Sequence, residues 1–301
     1  MSLPNLAWKA VKRCVKSPAF ACDIAKYFTK DFKSALGIHR YPVHQIFVVG
    51  LPKSGSTWLH NMLLELPGFN PRYYPSLSRK DEAGRFLPES EYDNIDDSFF
   101  ARVPRFGYSA YRFHIQASDR NIAILNRQAG KWVVTYRDLR DVCISRYFHY
   151  RSAPENHYYP LYHSLPQTEA IDHAIEIMRT QFMPWIQGWR EAARRCEGRI
   201  CEVRYEQLWG DTRNELERVL GFFGIRASES FFEKALATKI SEPKDLKESL
   251  GDRTRFVKRS SARKGGTGGW REYFTESQKE VFKKFAGDFL IELGYEKDKN
   301  W

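Results

Sequence analysis

Gly50-Leu51-Pro52-Lys53-Ser54-Gly55-Ser56-Thr57-Trp58 is the stretch on which the reading of this chain turns. Just before it, Gln45-Ile46-Phe47-Val48-Val49 is a β-branched, apolar run that ends on glycine, as a buried strand does. Just after it, Trp58, Leu59, Met62, Leu63 and Leu66 recur at helical spacing. Strand, glycine-bounded loop and helix together make a phosphate cradle, because the N–H groups of the first helical turn and the positive end of the helix dipole face the loop. The match to the nucleoside-triphosphate loop G-x-x-x-x-G-K-[ST] is partial. Gly50, Gly55 and Thr57 fit, but Ser56 stands at the lysine position and Lys53 lies three residues early. Gly, Pro and Ser are also the ordinary residues of a strand-to-helix turn, yet turn geometry does not account for a lysine flanked by hydroxyl donors.

The same strand-then-helix order recurs along the chain. Trp132-Val133-Val134-Thr135-Tyr136 predicts a strand, and Asp138 is the N-cap of a helix running through Tyr150. A third strand is predicted over Arg199–Tyr205, after a helical stretch from about Glu169 to Cys196 that Pro184 should kink or break. Further helices are expected at 211–223, 229–237 and 276–292. Such alternation predicts an α/β fold, a single P-loop-like domain with a central parallel β-sheet flanked by helices and a ligand at the carboxyl ends of the strands. The expected division is a basic, helical segment 1–40 followed by the main domain, 41–301. Segments 67–112 and 151–168, rich in Pro, Tyr, Ser and charge, are expected to be loop-dominated and to overhang the ligand crevice.

Composition narrows the function. With 301 residues, 42% hydrophobic and 28% charged, the chain is globular and large enough for a sizeable core, which excludes global disorder and a disulfide-stapled miniprotein. Forty-eight Lys and Arg against 37 acids give +11, which points to an anionic partner: nucleic acid, an acidic lipid surface or a phosphate-bearing ligand. The five cysteines show neither C-x-x-C spacing nor a Cys/His tract, so reduced thiols and a cytoplasmic setting are expected rather than disulfides or structural zinc. No run approaches the length of a membrane span, and no apolar signal block opens the chain. Trp8, Val11 and Val15 can share a helical face with Lys9, Lys12, Arg13 and Lys16 elsewhere, which permits peripheral membrane contact but is better read as a solvated basic helix packed on the domain, cut short by Pro18.

Pro52-Lys53-Ser54-Gly55-Ser56-Thr57-Trp58 differs by one Thr-to-Ser exchange from the P-K-S-G-T-T-W loop of the sulfotransferases that use 3′-phosphoadenosine 5′-phosphosulfate (PAPS), and the sequence resembles that family. The resemblance implies that Lys53, Ser54, Gly55, Ser56 and Thr57 hold the 5′-phosphate and that Trp58 stacks on the base. Arg137-Asp138-Leu139-Arg140-Asp141-Val142-Cys143-Ile144-Ser145 is similar to the family's R-N-P-K-D-V-x-x-S, which assigns Arg137 and Ser145 to the 3′-phosphate. Taken alone, this segment is equally a helix start with i,i+4 charge pairs. Arg263-Lys264-Gly265-Gly266-Thr267-Gly268-Gly269-Trp270 looks like R-K-G-x-x-G-D-W, a lid in which Arg263, Lys264 and Gly265 close on the 3′-phosphate; by itself it is a flexible basic loop. Gly269 stands where the family has aspartate, which leaves open how the loop is anchored.

Tyr205, in a match to the family's Y-E-x-[ML], is implied to contact adenine from the end of a strand; aromatics there are also ordinary core. The family's base lies in a K-T-H segment upstream of the 3′-phosphate arginine, where this chain has Arg112-Phe113-His114. By that resemblance His114 is the general base, Lys53 acts on the bridging oxygen, and Arg112 assists at the sulfonate. An isolated histidine is otherwise more often structural.

The implied activity is in-line transfer of a sulfuryl group to a hydroxyl of a small-molecule, lipid or glycan acceptor, with PAPS as co-substrate and neither metal nor nucleic acid involved. Tyr73, Tyr74, Phe86, Tyr108, Tyr111, Tyr158, Tyr159 and Tyr162 are expected to shape the acceptor pocket. The family's dimer motif K-x-x-x-T-V-x-x-x-E is matched by Arg271, Thr275 and Glu280, but Glu276 replaces valine, so dimerisation by that route is not expected. Two rivals stand beside this reading. A P-loop kinase would need magnesium and a lysine at position 56, and a nucleic-acid or acidic-membrane binding module would need neither His114 nor Lys53.

Overall fold

The computed structural model describes residues 29, 32, 38–70, 83–85, 94–95, 99–100, 103, 107–238 and 265–301. Arg263, Lys264, Tyr73, Tyr74, Phe86 and nearly all of the basic segment 1–40 lie outside the described residues.

Four strands, β1 (Gln45–Gly50), β2 (Ser109–Phe113), β3 (Trp132–Tyr136) and β4 (Ile200–Arg204), form one parallel sheet in the order β2-β1-β3-β4. Between them in the chain lie α1 (Ser56–Leu63), α2 (Asp119–Gln128), α3 (Leu139–Ser152), α4 (Tyr159–Ser164), α5 (Gln167–Ile177) and α6 (Met183–Arg195). After β4 follow α7 (Tyr205–Gly210), α8 (Thr212–Phe222), α9 (Glu229–Leu236) and α10 (Glu276–Glu292). The α/β architecture expected from the sequence is therefore the one observed.

Strand alternation divides the core in two. Phe47, Val49, Trp132, Val134 and Tyr136 project to one face and pack with α2, α3, α5, α6 and α10. Ile46, Val48, Val133, Cys201 and Val203 project to the other and pack with α1, α7, α8 and α9. Side chains of successive strand residues point to opposite faces, so a strand covered on both sides is an unbroken apolar run. In β1, Ile46 to Val49 are at most 2% exposed. Because the chain leaves β1 toward β2 on one side and β3 toward β4 on the other, the switch point lies between the neighbouring strands β1 and β3, and in open parallel sheets ligands bind there.

At the end of segment 67–112, β2 begins at Ser109 and pairs with β1 in the register Val48↔Arg112. Three expectations need correction. In segment 151–168, α4 forms behind Tyr158 with Pro160 in its first turn, where a missing N–H costs nothing. Pro184 does not end the long helical stretch. It sits in the first turn of α6, directly after a π-helical turn, Met178–Phe182, whose wider ring accommodates the proline. Tyr108, Tyr111 and Tyr162 are also core residues, 5%, 1% and 0% exposed, so of the tyrosines expected in the acceptor pocket only Tyr158 and Tyr159 reach solvent among the described residues. Within those residues no helix is long and apolar enough to cross a membrane, and no three His, Cys, Asp or Glu side chains group as a metal site.

Candidate active site

Each carboxyl end of the four strands delivers one part of the site. β1 ends at Gly50, which lies opposite Thr135 of β3. A β-carbon on Gly50 would collide with Ser56 and come within 2.9 Å of Thr135 Oγ1, so only glycine lets the loop fold back this closely. The loop is pinned to β3 by Leu51 N–H donating to Thr135 O (2.8 Å). Ser54, 1% exposed, donates its hydroxyl to Leu51 O (2.6 Å) and lies 2.9 Å from Thr135 Oγ1. Its backbone N–H also donates to Leu51 O (3.1 Å). The Ser54 hydroxyl thus helps to hold the loop's shape.

Lys53 is the one non-glycine with positive φ (70°) among the described residues. A left-handed lysine costs about 1–2 kcal/mol, and such strain persists where the surrounding fold and the function of the site require it. Gly55, also left-handed (φ 77°), caps α1 without any side-chain hydrogen bond to the first turn. The N–H groups at the start of α1 are therefore presented to an outside acceptor, with the half-exposed Thr57 beside them. Ser56 is 3% exposed against Gly50.

β2 delivers His114, one residue past its end. Nδ1 of His114 lies 2.5 Å from Gly50 O, and Nε2 lies 2.5 Å from Nη1 of Arg112. A carbonyl only accepts and a guanidinium only donates, so this pair of contacts fits the neutral tautomer with its proton on Nδ1 and its lone pair on Nε2. Arg112 thus stands on the base itself, in addition to any role at a sulfonate.

β3 delivers Arg137. Its Nη2 donates to Gly266 O (2.8 Å), its guanidinium lies over the Tyr205 ring (4.3 Å), and Asp141 is 3.5 Å away. Its Nε is buried without a hydrogen-bond partner. Ser145, partly exposed, is one helical turn beyond Asp141 on the same side of α3. Asp138 caps α3 by accepting from Arg140 N–H (2.9 Å). Arg140, 1% exposed, forms two-pronged hydrogen bonds to Asp138, an ion pair with Glu296 (2.6 Å), and lies over the rings of both Trp270 (4.2 Å) and Trp301 (4.3 Å).

Past β4 comes Tyr205, which opens α7 rather than ending the strand. It is 3% exposed, and a β-carbon on Gly55 would lie 2.6 Å from its ring. Burial pushes its hydroxyl pKa up, with Arg137 opposing. Trp58 meets Tyr205 and Trp209 edge-on and donates Nε1–H to Thr238 O (3.1 Å). Glu206 accepts from Asp138 N–H (3.0 Å) and Tyr295 Oη–H (2.9 Å), and burial raises its carboxyl above the ordinary range. The carboxy-terminal loop carries left-handed glycines at 265, 266 and 268 and meets Arg137 through Gly266.

Lys53, His114, Arg137 and Tyr205 thus each follow the carboxyl end of one of the four parallel strands. The profile of the sulfotransferase domain matches residues 44–294. The chain belongs to the sulfotransferase domain family. Human sulfotransferase 2B1 is 26% identical over 264 residues, an alignment covering 79% of this chain and 64% of that protein. Sulfotransferase 2A6 of Mus musculus is 22% identical over 82% of this chain and 84% of its own length, and a flavonol sulfotransferase-like protein of Flaveria bidentis is 23% identical over 83% and 82%. Among solved structures, mouse sulfotransferase SULT7A1 complexed with PAP superposes with a TM-score of 0.56 at 19% identity, covering 82% of this chain and 84% of that one. Retinol dehydratase in complex with androsterone and inactive cofactor PAP superposes at 0.55 with 18% identity, covering 88% and 85%. These likenesses show the fold, and the family membership makes this chain a transferase.

Sequence reasoning read Asp138 as a helix cap, as observed, and Gly50 as a loop glycine, but assigned no role to Thr135, Asp141 or Arg140 beyond their place in a strand or motif. Gly50 O acts through its backbone and carries no residue signal. For Asp141 a signal was present: a second acid on the first turn of α3, four residues after Arg137.

Proposed function

We propose that this protein transfers a sulfuryl group from PAPS to a hydroxyl of a small-molecule, lipid or glycan acceptor, with His114 as general base. The observation that supports this reading is the hydrogen bond from His114 Nδ1 to Gly50 O, a contact that suits a base with its lone pair on Nε2 beside the phosphate loop.

The residues fit a nucleotide with two phosphates. The uncapped first turn of α1 and Lys53 suit the 5′ end, while Arg137, with an unpartnered buried Nε, and Ser145 suit a 3′-phosphate. Tyr205 and Trp58 border the same edge and fit a base. Arg263 and Lys264 lie outside the described residues; the motif they share with Gly265 assigns them to the 3′-phosphate. Bound PAPS supplies an activated sulfuryl group on a phosphosulfate anhydride. Lys53 offsets charge at the bridging oxygen, His114 Nε2 takes the acceptor's proton, and Arg112 withdraws from Nε2 to let it do so. Positioning and charge stabilisation are the main demands of such in-line transfer. That the retinol dehydratase structure holds androsterone supports a hydroxylated small molecule as the acceptor class.

The test is incubation of the protein with sulfur-labelled PAPS and a panel of phenols, steroids, lipid alcohols and glycans, without magnesium and with H114A as control. Label should pass to at least one acceptor with the native protein only. Magnesium-dependent phosphate transfer from ATP, with no turnover from PAPS, would establish the kinase reading instead.

A further inference from the structure

We infer that Asp141 is the positioning residue that ties the 3′-phosphate arginine to the carboxy-terminal glycine loop. The inference rests on the nucleotide reading above.

Asp141 is 4% exposed, and its two oxygens are separately engaged. Oδ2 accepts from Gly268 N–H (2.7 Å) and Oδ1 from Trp270 N–H (3.1 Å), across 127 and 129 residues of chain. Arg137 Nη2 is 3.5 Å from Oδ2 and donates to Gly266 O (2.8 Å). A closed ring results: Asp141 to Arg137, Arg137 to Gly266, and along the loop to Gly268 and back to Asp141. The loop has left-handed backbone at Gly265 (67°), Gly266 (90°) and Gly268 (78°), so its own side chains do little to fix its shape. The shape is imposed from α3, by a carboxylate whose hydrogen bonds to N–H groups are charge-assisted. Beyond the ring, Trp270 is 1% exposed and packed on Arg140 (4.2 Å), which fixes the loop's far end. A first-turn acid also favours the α3 dipole, but that role requires no contact with residues 268 and 270.

Asp141 therefore sets where the loop peptide and the Arg137 guanidinium meet a 3′-phosphate, and touches neither the acceptor nor the 5′ end. Asparagine at this position retains one acceptor oxygen and turns an NH₂ toward either a backbone N–H or Arg137.

Titration calorimetry of the wild type and Asp141→Asn with 3′,5′-adenosine bisphosphate and with adenosine 5′-phosphate tests this. The variant should bind the bisphosphate at least about 10-fold more weakly, the consequence of losing one charge-assisted hydrogen bond, while its affinity for the 5′-monophosphate is unchanged. In turnover assays its KM for PAPS should rise with kcat at saturation unchanged. Equal losses for both nucleotides, or no loss for either, would overturn the inference. A wild type that fails to prefer the bisphosphate would instead overturn the nucleotide reading itself. Hydrogen exchange on the wild type needs no variant: the Gly268 and Trp270 amides should be protected, and unprotected rates would refute the anchor.

Discussion

The carbonyl of Gly50 and Nδ1 of His114 are 2.5 Å apart, although 64 residues separate them in the chain. The last residue of β1 thereby orients the first residue past β2, and the carbonyl fixes which imidazole nitrogen keeps a lone pair. Replacing His114 by alanine should lower kcat by about 10²–10⁴-fold, the usual contribution of a general base, with bisphosphate affinity nearly unchanged. Steady-state kinetics beside calorimetry separates the two effects. Near-normal turnover would remove His114 from the mechanism.

Lys53 has two separable properties, a charge and a left-handed backbone (φ 70°). Lys53→Ala keeps the strain and removes the charge, whereas Lys53→Gly removes both. Both variants should lose about 10²–10³-fold in turnover, as when one stabilising donor is deleted. The glycine variant should be more stable than the alanine variant by about 1 kcal/mol in urea unfolding, because glycine adopts positive φ freely. Equal stabilities would show that the strain is not borne at this residue.

Gly55 is close to Tyr205 as well as left-handed. An added β-carbon would lie 2.6 Å from the ring at φ 77°, so Gly55→Ala must displace Tyr205, and with it the surface on which Arg137 rests. A loss of about 2–3 kcal/mol in stability is expected, together with weaker bisphosphate binding. Gly198→Ala is the control, since Gly198 has φ 73° but nothing within 4 Å of an added β-carbon; it should cost only the backbone term, about 1 kcal/mol. Equal losses in the two variants would show that Tyr205 yields without consequence.

These contacts mark where the sequence was legible. β1 and β3 announce themselves as short apolar runs, β4 as an alternating one, and the helix predicted at 276–292 is the observed α10. β2 was hidden because Ser109-Ala110-Tyr111-Arg112-Phe113 follows a polar, Pro-rich stretch and becomes a strand by pairing with β1, a contact no local pattern reports. Its alternation of Tyr111 and Phe113 with Ala110 and Arg112 was the available signal. In the site, Lys53 and Arg137 were legible because each lies in a short local motif. The hydrogen bonds from Asp141 to Gly268 and Trp270 were not, because they join distant segments through backbone N–H groups whose residue type leaves no trace. Ser54 shows the converse: the motif located it, but only the fold shows its hydroxyl holding Leu51 and Thr135.

α1, which carries the phosphate loop, should also respond to acid through His60. This imidazole lies on β2, its Nε2 3.0 Å from Ala110 O, and burial first and Arg112 second push its pKa down from 6.5 to about 4. Between those values the unfolded chain binds a proton that the folded chain refuses. Stability from neutral His60 is therefore complete above pH 6.5 and is lost as pH falls toward 4. The loss should reach about 2 kcal/mol by pH 4.5. Other groups titrate over the same range, so the informative quantity is the difference between wild type and His60→Gln, whose amide can still donate to Ala110 O. The unfolding free energies of the two should converge as pH is lowered from 7.5 to 4.5, because only the wild type carries the histidine's penalty. If the two profiles run parallel across that range, His60 titrates alike in the folded and unfolded chain and acid acts on the loop through other groups.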